Sequence, residues 1–278
     1  MVLDLAGVTT IMPCSLPPEI LDLVVDQLLY EPATLKTCCL VSKSWIPRTR
    51  RHLFAQVEFD DLERPFESWM RVFPDPSNSP ANHTRTLSIC DLPTSTPTGT
   101  DVGNWIRSFY NVVHFGFNYS TGVGYDVPLA SFVGFSPLVR SVGLTSTSSK
   151  IFDLVCSFPL LEDLTLIDYC PEDGTVGWSA PSTSPKLTGF LNLAVRGGIR
   201  STTRRLLDFP DGLHFGKITV TCIGEDFESA TDLVSRCSDT LESLNIRCFL
   251  TGAFCSAFLF GQCLTATRGR SHAQGTLP

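Results

Sequence analysis

Four arginines lie close together in the sequence, at Arg196, Arg200, Arg204 and Arg205. The guanidinium group presents a planar fork of N–H donors that matches the oxygens of a phosphate or a carboxylate. If the connection that carries these arginines opens onto a binding face, they predict capture of a phosphorylated or acidic protein segment. The alternative is a solvated run of charge on a surface loop.

Motifs for catalysis are incomplete in this sequence. A G-x-x-x-x-G-K-[ST] phosphate loop is absent, and residues 122–124 (Gly-Val-Gly) lack the third glycine of a dinucleotide site. Residues 134–138 (Gly-Phe-Ser-Pro-Leu) match only the first half of a nucleophile elbow, because proline and leucine disrupt its turn. The five histidines have no partner four residues away, and the eleven cysteines form no C-x-x-C pair. We expect no catalytic residues, no metal site and no cofactor.

The composition of the chain argues against some classes of binding partner. The chain has 278 residues, of which 43% are apolar and 18% charged, and its formal net charge is −7. Nucleic-acid binding depends on cationic side chains, so an acidic chain is poorly suited to it. The strongest apolar run, residues 249–264, holds polar residues and two glycines and falls short of the ~20 residues of a spanning helix. We expect neither nucleic acid nor a membrane as partner.

The cysteines and the N-terminus bear on the compartment. Most cysteines lie within apolar runs, which is typical of free thiols in a reducing compartment. No lysine or arginine precedes the apolar N-terminal stretch, as a secretory signal would require. We predict a cytoplasmic protein, a nuclear protein, or both. The alternative is a secreted protein that uses disulfides and the glycosylation acceptors at residues 82–84 and 118–120.

Residues 14–58 predict a small bundle of three helices. Apolar residues recur every four positions from residue 20 to residue 28, behind a proline pair suited to a helix start. Pro32 ends this helix, a second is predicted over 33–41, and a third, capped by Ser42, ends near residue 54. A bundle of this size cannot cover all of its apolar side chains. We therefore expect part of its surface to bind a partner protein. Basic residues rim this surface at Lys43, Arg48, Arg50 and Arg51. The alternative is that the apolar residues pack on the following domain.

Residues 59–82 predict a linker. Clustered acids are followed by a proline-rich run over 73–80, and proline at this density blocks both helices and central strands. We expect the boundary between two domains here.

Residues 83–248 carry a repeated apolar pattern of the form a-x-x-a-x-a, in which a is apolar. The clear copies are Val112/Phe115/Phe117, Val139/Val142/Leu144, Leu161/Leu164/Leu166, Phe215/Ile218/Val220 and Leu241/Leu244/Ile246, and the weaker ones are Thr84/Leu87/Ile89 and Leu187/Phe190/Asn192. Successive copies lie 22 to 28 residues apart. This period is that of the leucine-rich repeat, in which each unit supplies a short strand and a returning helix.

Segments between these strands have helical apolar spacing after Asp101, around residues 151–158 and after Asp226. Strand, helix and next strand make a βα unit, and stacked units form a solenoid with a parallel sheet. The fold class predicted is therefore α+β overall: a three-helix bundle followed by an α/β leucine-rich-repeat-like solenoid. The alternative is a doubly wound α/β domain. After residue 248 the repeated apolar pattern stops. We expect residues 249–278 to be irregular or to form a truncated last repeat.

The segment from Leu16-Pro17-Pro18-Glu19-Ile20-Leu21 through Leu40-Val41-Ser42-Lys43-Ser44-Trp45 resembles the F-box, and the chain is similar to members of the expanded fungal F-box families. The resemblance is specific over about residues 14–58 and looser over the repeats. It implies docking to the Skp-type adaptor of an SCF-type cullin-RING ubiquitin ligase, with the repeats binding a protein substrate. The residues that fall on family positions that pack the bundle or meet the adaptor are Leu16, Pro17, Ile20, Leu21, Leu28, Leu35, Val41 and Trp45.

Under this resemblance the chain is not an enzyme, and its partners are the adaptor, the cullin scaffold and a substrate that the sequence does not name. An F-box scaffold acting outside any ligase is the alternative. A hydrolase on an α/β fold lacks its motifs.

Overall fold

The computed structural model describes residues 17–60, 65–90, 100–118, 129–145, 151–167, 185–194, 199–223, 226–249 and 262–267. The chain divides into two compact units, Met1–Phe54 and Ala55–Pro278, called here the N-terminal and C-terminal units. Helix and strand are mixed, and the strands form a single sheet. No helix in the described part of the chain is long and apolar enough to cross a membrane.

The N-terminal unit contains the three predicted helices. They are α1 (Pro18–Gln27), α2 (Pro32–Val41) and α3 (Ile46–Leu53), the last preceded by a 3₁₀ turn over Lys43–Trp45. A proline opens each α-helix, where its missing N–H breaks no intrahelical hydrogen bond. The predicted cap is present, because the Ser42 hydroxyl accepts from the Ser44 N–H at 3.3 Å. α3 packs against both α1 and α2.

Among the residues that the structure describes, the C-terminal unit has nine strands in chain order. These are β1 (Gln56–Phe59), β2 (Thr86–Cys90), β3 (His114–Asn118), β4 (Ser141–Thr145), β5 (Asp163–Ile167), β6 (Phe190–Ala194), β7 (Lys217–Ile223), β8 (Ser243–Phe249) and β9 (Gln262–Thr267). The first eight strands pair in parallel, each with the next along the chain, while β9 lies antiparallel to β8.

Helices connect these strands on one side of the sheet. They are α4 (Phe66–Val72), α5 (Thr100–Arg107), α6 (Ile151–Cys156), α7 (Arg200–Leu207) and α8 (Phe227–Arg236). Two neighbouring parallel strands require such a crossover connection, because the chain must return to the end of the sheet at which the first strand began before the second strand can start. The predicted mixture of helix with a parallel sheet is confirmed.

The strands contribute two in-register rows of side chains to the core of the C-terminal unit, which also contains side chains of the helices. One row runs through Leu87, Phe115, Val142, Leu164, Leu191 and Ile218, and the other through Ile89, Phe117, Leu144, Leu166, Leu193 and Val220. Every member of both rows is almost completely buried. Because strand side chains alternate between faces, the residues between them lie on the opposite, open face of the sheet.

The structure differs from the sequence prediction at β6. The weak copy Leu187/Phe190, whose third position is broken by Asn192, predicts that Phe190 points inward, whereas the structure buries Leu191 and Leu193 and leaves Phe190 and Asn192 half-buried on the open face. A one-residue change of register moves every side chain of a strand to the other face.

The stretch 59–82, expected to be a linker, is part of the C-terminal unit. Strand β1 pairs with β2, and α4 buries Phe66 beneath the sheet. The rings of Phe59 and Phe66 meet edge to face with centroids 4.9 Å apart, and Trp69 lies 5.6 Å from Phe59. The burial of these aromatic rings stabilises α4, a short helix that the proline-rich sequence around it does not predict.

Residues 249–278, expected to be irregular, contain one further element. β9 pairs with β8 over six residue pairs, from Ser243 with Thr267 to Cys248 with Gln262. An antiparallel strand at this position covers the backbone N–H and C=O groups that an unpaired edge would expose.

Candidate functional site

The interior of the N-terminal unit decides which predicted site residues are available to a partner. Val25, Leu35 and Cys38 are the buried apolar residues of the three helices. Thr49 is also buried, and its hydroxyl donates to the Trp45 carbonyl at 2.8 Å. Leu35, predicted among the adaptor-binding positions, is 1% exposed. It therefore packs the helices together and is not part of a surface.

Asp26 joins α1 to α3. Its carboxylate accepts two hydrogen bonds from Arg48, and His52 Nε2 lies 2.7 Å from its Oδ1. These two partners, Arg48 foremost, lower the pKa of Asp26 to about 2. Arg48, predicted as part of a basic rim, is thus occupied in holding two helices together. The other rim residues, Lys43, Arg50 and Arg51, are exposed.

The outer surface of α1 is apolar. Ile20, Leu23 and Val24 are 44%, 58% and 45% exposed, and their spacing of three and four residues places them on one helix face. The apolar residues that the pattern over 20–28 predicts therefore do not all face the same way. Val25 faces the interior, whereas Ile20, Leu23 and Val24 face the solvent.

Four further exposed apolar side chains follow at the ends of α1 and α2. They are Leu29, Tyr30, Leu40 and Val41, of which Tyr30 and Leu40 are the most exposed, at 90% and 87%. We call these four, with Ile20, Leu23 and Val24, the exposed apolar set. Small units rarely leave this many large apolar side chains in water unless a partner covers them.

Only part of this set was predicted. Ile20 and Val41 were named from the sequence, whereas Leu23, Val24, Leu29, Tyr30 and Leu40 were not, because periodicity does not show which side of a helix faces the core. Of the other predicted residues, Pro17 is exposed, and Leu21, Leu28 and Trp45 are partly buried. Leu16 lies outside the described residues.

The arginine cluster is not on a loop. Arg200, Arg204 and Arg205 belong to α7, and Arg196 lies outside the described residues. Arg205 is buried, with its guanidinium 5.7 Å from the centre of the Phe152 ring, so it packs within the helix layer. Arg200 and Arg204 are exposed on α7, whose Leu206 packs in the same core as the inward strand residues. These three arginines therefore lie on the helix side and do not line the open face of the sheet.

The open face carries small and polar side chains. Ser88, Gly116, Gly143, Thr165, Asn192, Thr219 and Asn245 form its central row, in register from β2 to β8. A side chain added at Gly143 would meet nothing within 4 Å. The face is therefore accessible, and its chemistry is hydrogen bonding.

The remaining candidate motifs have structural roles. Ser136, in the partial nucleophile elbow, is buried, and its hydroxyl lies 2.8 Å from the carbonyl oxygens of both Tyr110 and Val112. Five described cysteines are free thiols, at Cys38, Cys39, Cys90, Cys156 and Cys237. Within the described ranges, no three His, Cys, Asp or Glu side chains are grouped to hold a metal ion.

A scan against protein-family models finds no match to this chain. A search of curated proteins also finds no significant relative.

Proposed function

We propose that this chain is the substrate-recognition subunit of an SCF-type cullin-RING ubiquitin ligase. The N-terminal helices act as an F-box that docks a Skp-type adaptor, and the C-terminal unit, as a leucine-rich-repeat-like solenoid, binds the protein to be ubiquitinated. The exposed apolar set carries the proposal, because it gives a small helical unit the kind of surface that a protein partner covers.

The division of the chain supports this assignment of roles. A unit of helices that ends at Phe54 is followed by a unit with its own continuous core, as expected of a docking module joined to a recognition module. In this function the chain supplies proximity and no catalytic group. Holding a substrate lysine near a charged conjugating enzyme raises its effective concentration, which accelerates transfer.

The test is co-purification of the full chain with a purified Skp-type adaptor and cullin. Ile20→Asp and Leu40→Asp each place a charge within the exposed apolar set, and we expect either to weaken adaptor binding at least ~10-fold, since a buried unpaired charge is costly at an interface. Leu40 is 87% exposed, so its substitution leaves the helix packing intact. Val133→Asp, at a half-exposed position of the C-terminal unit, is the matched control.

Each outcome has a defined meaning. Failure of the wild-type chain to bind the adaptor would contradict the F-box assignment. Binding of the adaptor without the cullin would favour an F-box scaffold that acts outside a ligase. Equal loss with Val133→Asp would show that the effect is not specific to the N-terminal helices.

A further inference from the structure

The open face of β6, β7 and β8 has a row of hydrogen-bonding side chains at its centre. Asn192, Thr219 and Asn245 are in register on the three neighbouring strands. Lys217 lies two residues before Thr219 on β7, and Arg247 lies two residues after Asn245 on β8, so the two cations lie on opposite sides of this row. We call these five residues the strand-face basic patch.

The patch has a charge opposite to that of the whole chain. Lys217 and Arg247 are exposed, and neither forms an ion pair within the described residues. The described side chains on the open face of these three strands include no carboxylate. A local excess of positive charge on a chain with net charge −7 favours an acidic partner.

The spacing of the two cations defines the partner more closely. Arg247 pairs with Thr221, which is four residues beyond Lys217 on β7. At a rise of ~3.3 Å per strand residue, the two cations are separated by about 13 Å along the strands and ~4.8 Å across them. Two carboxylates at about this separation match the two cations, because each side chain then reaches its own anion without bending across the row.

An extended peptide supplies carboxylates at this spacing. Residues i and i+4 of an extended chain lie on the same face and are also about 13 Å apart. The side chain at i+2 would then lie over Asn192 and Thr219, which can hydrogen-bond to it. The face has room for such a segment, because its central side chains are of small or medium size.

We propose that the strand-face basic patch binds an extended acidic segment of the partner protein, with Asp or Glu at positions i and i+4. This inference rests on the proposed function, since it identifies the class of substrate that the C-terminal unit recognises. It also replaces the arginines of α7 as the site for acidic recognition.

The test uses fluorescence anisotropy of labelled synthetic peptides with the full chain. Three threonine-rich ten-residue peptides are compared: one with glutamates at i and i+4, one with glutamates at i and i+3, and a neutral peptide with glutamines at i and i+4. We expect the i,i+4 peptide to bind about fivefold or more tightly than either of the others, because only its two charges lie on one face at the required distance. Equal binding of the two acidic peptides would overturn the proposal.

Matched variants separate this patch from the general charge of the protein. Lys217→Gln/Arg247→Gln is expected to weaken binding of the i,i+4 peptide about tenfold and to reduce its salt dependence. Arg204→Gln/Arg236→Gln removes the same charge from exposed helix positions and should leave the affinity within about twofold. Equal loss in both double variants would also overturn the proposal.

The two proposals fail independently. Lys217→Gln/Arg247→Gln should leave adaptor binding unchanged, and Ile20→Asp should leave peptide binding unchanged. If the chain binds the adaptor but shows no preference for the i,i+4 peptide, the proposal of an acidic segment is refuted and the F-box proposal is not.

Discussion

At the scale of residues, Asp26 holds the N-terminal unit together through electrostatics. Its carboxylate bridges α1 to Arg48 and His52 of α3, in a unit whose buried apolar core is small. The pKa of Asp26 in the folded chain, about 2, lies below its ordinary value of 3.8. The charged form therefore stabilises the folded state above pH ~4, and this contribution is lost as the pH falls towards 2.

We expect Asp26→Asn to destabilise the N-terminal helices by about 1 kcal/mol at pH 6, since the carboxylate is partly exposed and water screens its partners. Near pH 2 most of the difference from the wild type should be lost, because about half of the wild-type carboxyl groups are then protonated. Amide hydrogen exchange of α1 and α3 in the full chain, corrected for intrinsic rates, measures both values. Glu19→Gln, at another exposed carboxylate of the same helix, is the control. A difference independent of pH would contradict the ion-pair role.

At the scale of elements, Gly189 fixes the register of β6. A Cβ at this position would lie 2.1 Å from Asp163 Oδ1 and 3.2 Å from the Glu162 carbonyl oxygen. Asp163 Oδ1 also accepts the Phe190 N–H at 2.7 Å. The close approach of these groups places Leu191 and Leu193 in the core, and it explains why the pattern at residues 187–192 was assigned one residue out of register.

Gly189→Ala is expected to destabilise the C-terminal unit by about 2 kcal/mol, because Asp163 must move away and lose its hydrogen bond to β6. Gly143→Ala is the matched substitution on the open face, where the added methyl meets nothing within 4 Å. It should be neutral or stabilising by up to ~1 kcal/mol, since alanine has less chain entropy to lose than glycine. Urea unfolding of both variants checks the opposite signs. Equal destabilisation would show that Gly189 has no special packing role.

At the scale of the whole molecule, thiols are distributed across both units. The described free cysteines range from Cys90, half-buried on the open face, to Cys237, buried behind the sheet. Burial, followed by the neighbouring Asp153 carboxylate, raises the pKa of Cys156 to about 11, and burial raises the pKa of Cys237. The thiolate is the reactive form of cysteine. Burial therefore slows the reaction in two ways, because it limits the access of the reagent and lowers the fraction of thiol that is ionised.

Labelling with a thiol reagent at pH 8 is therefore expected to modify Cys90 in the native chain, to modify Cys156 more slowly because its pKa is raised, and to modify Cys237 only after unfolding in urea. Mass spectrometry of tryptic peptides assigns each site. Native labelling of Cys237 at the rate of Cys90 would contradict the burial described here. Failure of these cysteines to react in urea without reductant would favour the secreted, disulfide-bonded alternative.

Much of the sheet could be predicted from the sequence, because alternation of apolar residues along a strand is a local pattern. β1 could also have been found, since Phe54, Val57 and Phe59 fit the same spacing as the other copies. α4 could not, because its prolines and acids resemble a linker until Phe66 is seen to pack against Phe59. The cluster on α7 was misassigned because local spacing does not reveal that Arg205 packs over Phe152.

The sequence by itself determined the period of most of the parallel strands and the existence of three N-terminal helices, because these depend on neighbours along the chain. Only the tertiary structure decided which residues are surface. It turned Val25 and Leu35 inward while leaving Ile20, Leu23 and Leu40 in water, and it set Lys217 and Arg247 on one open face. Exposure depends on what packs against a residue from distant parts of the chain, and that information is absent from any local pattern.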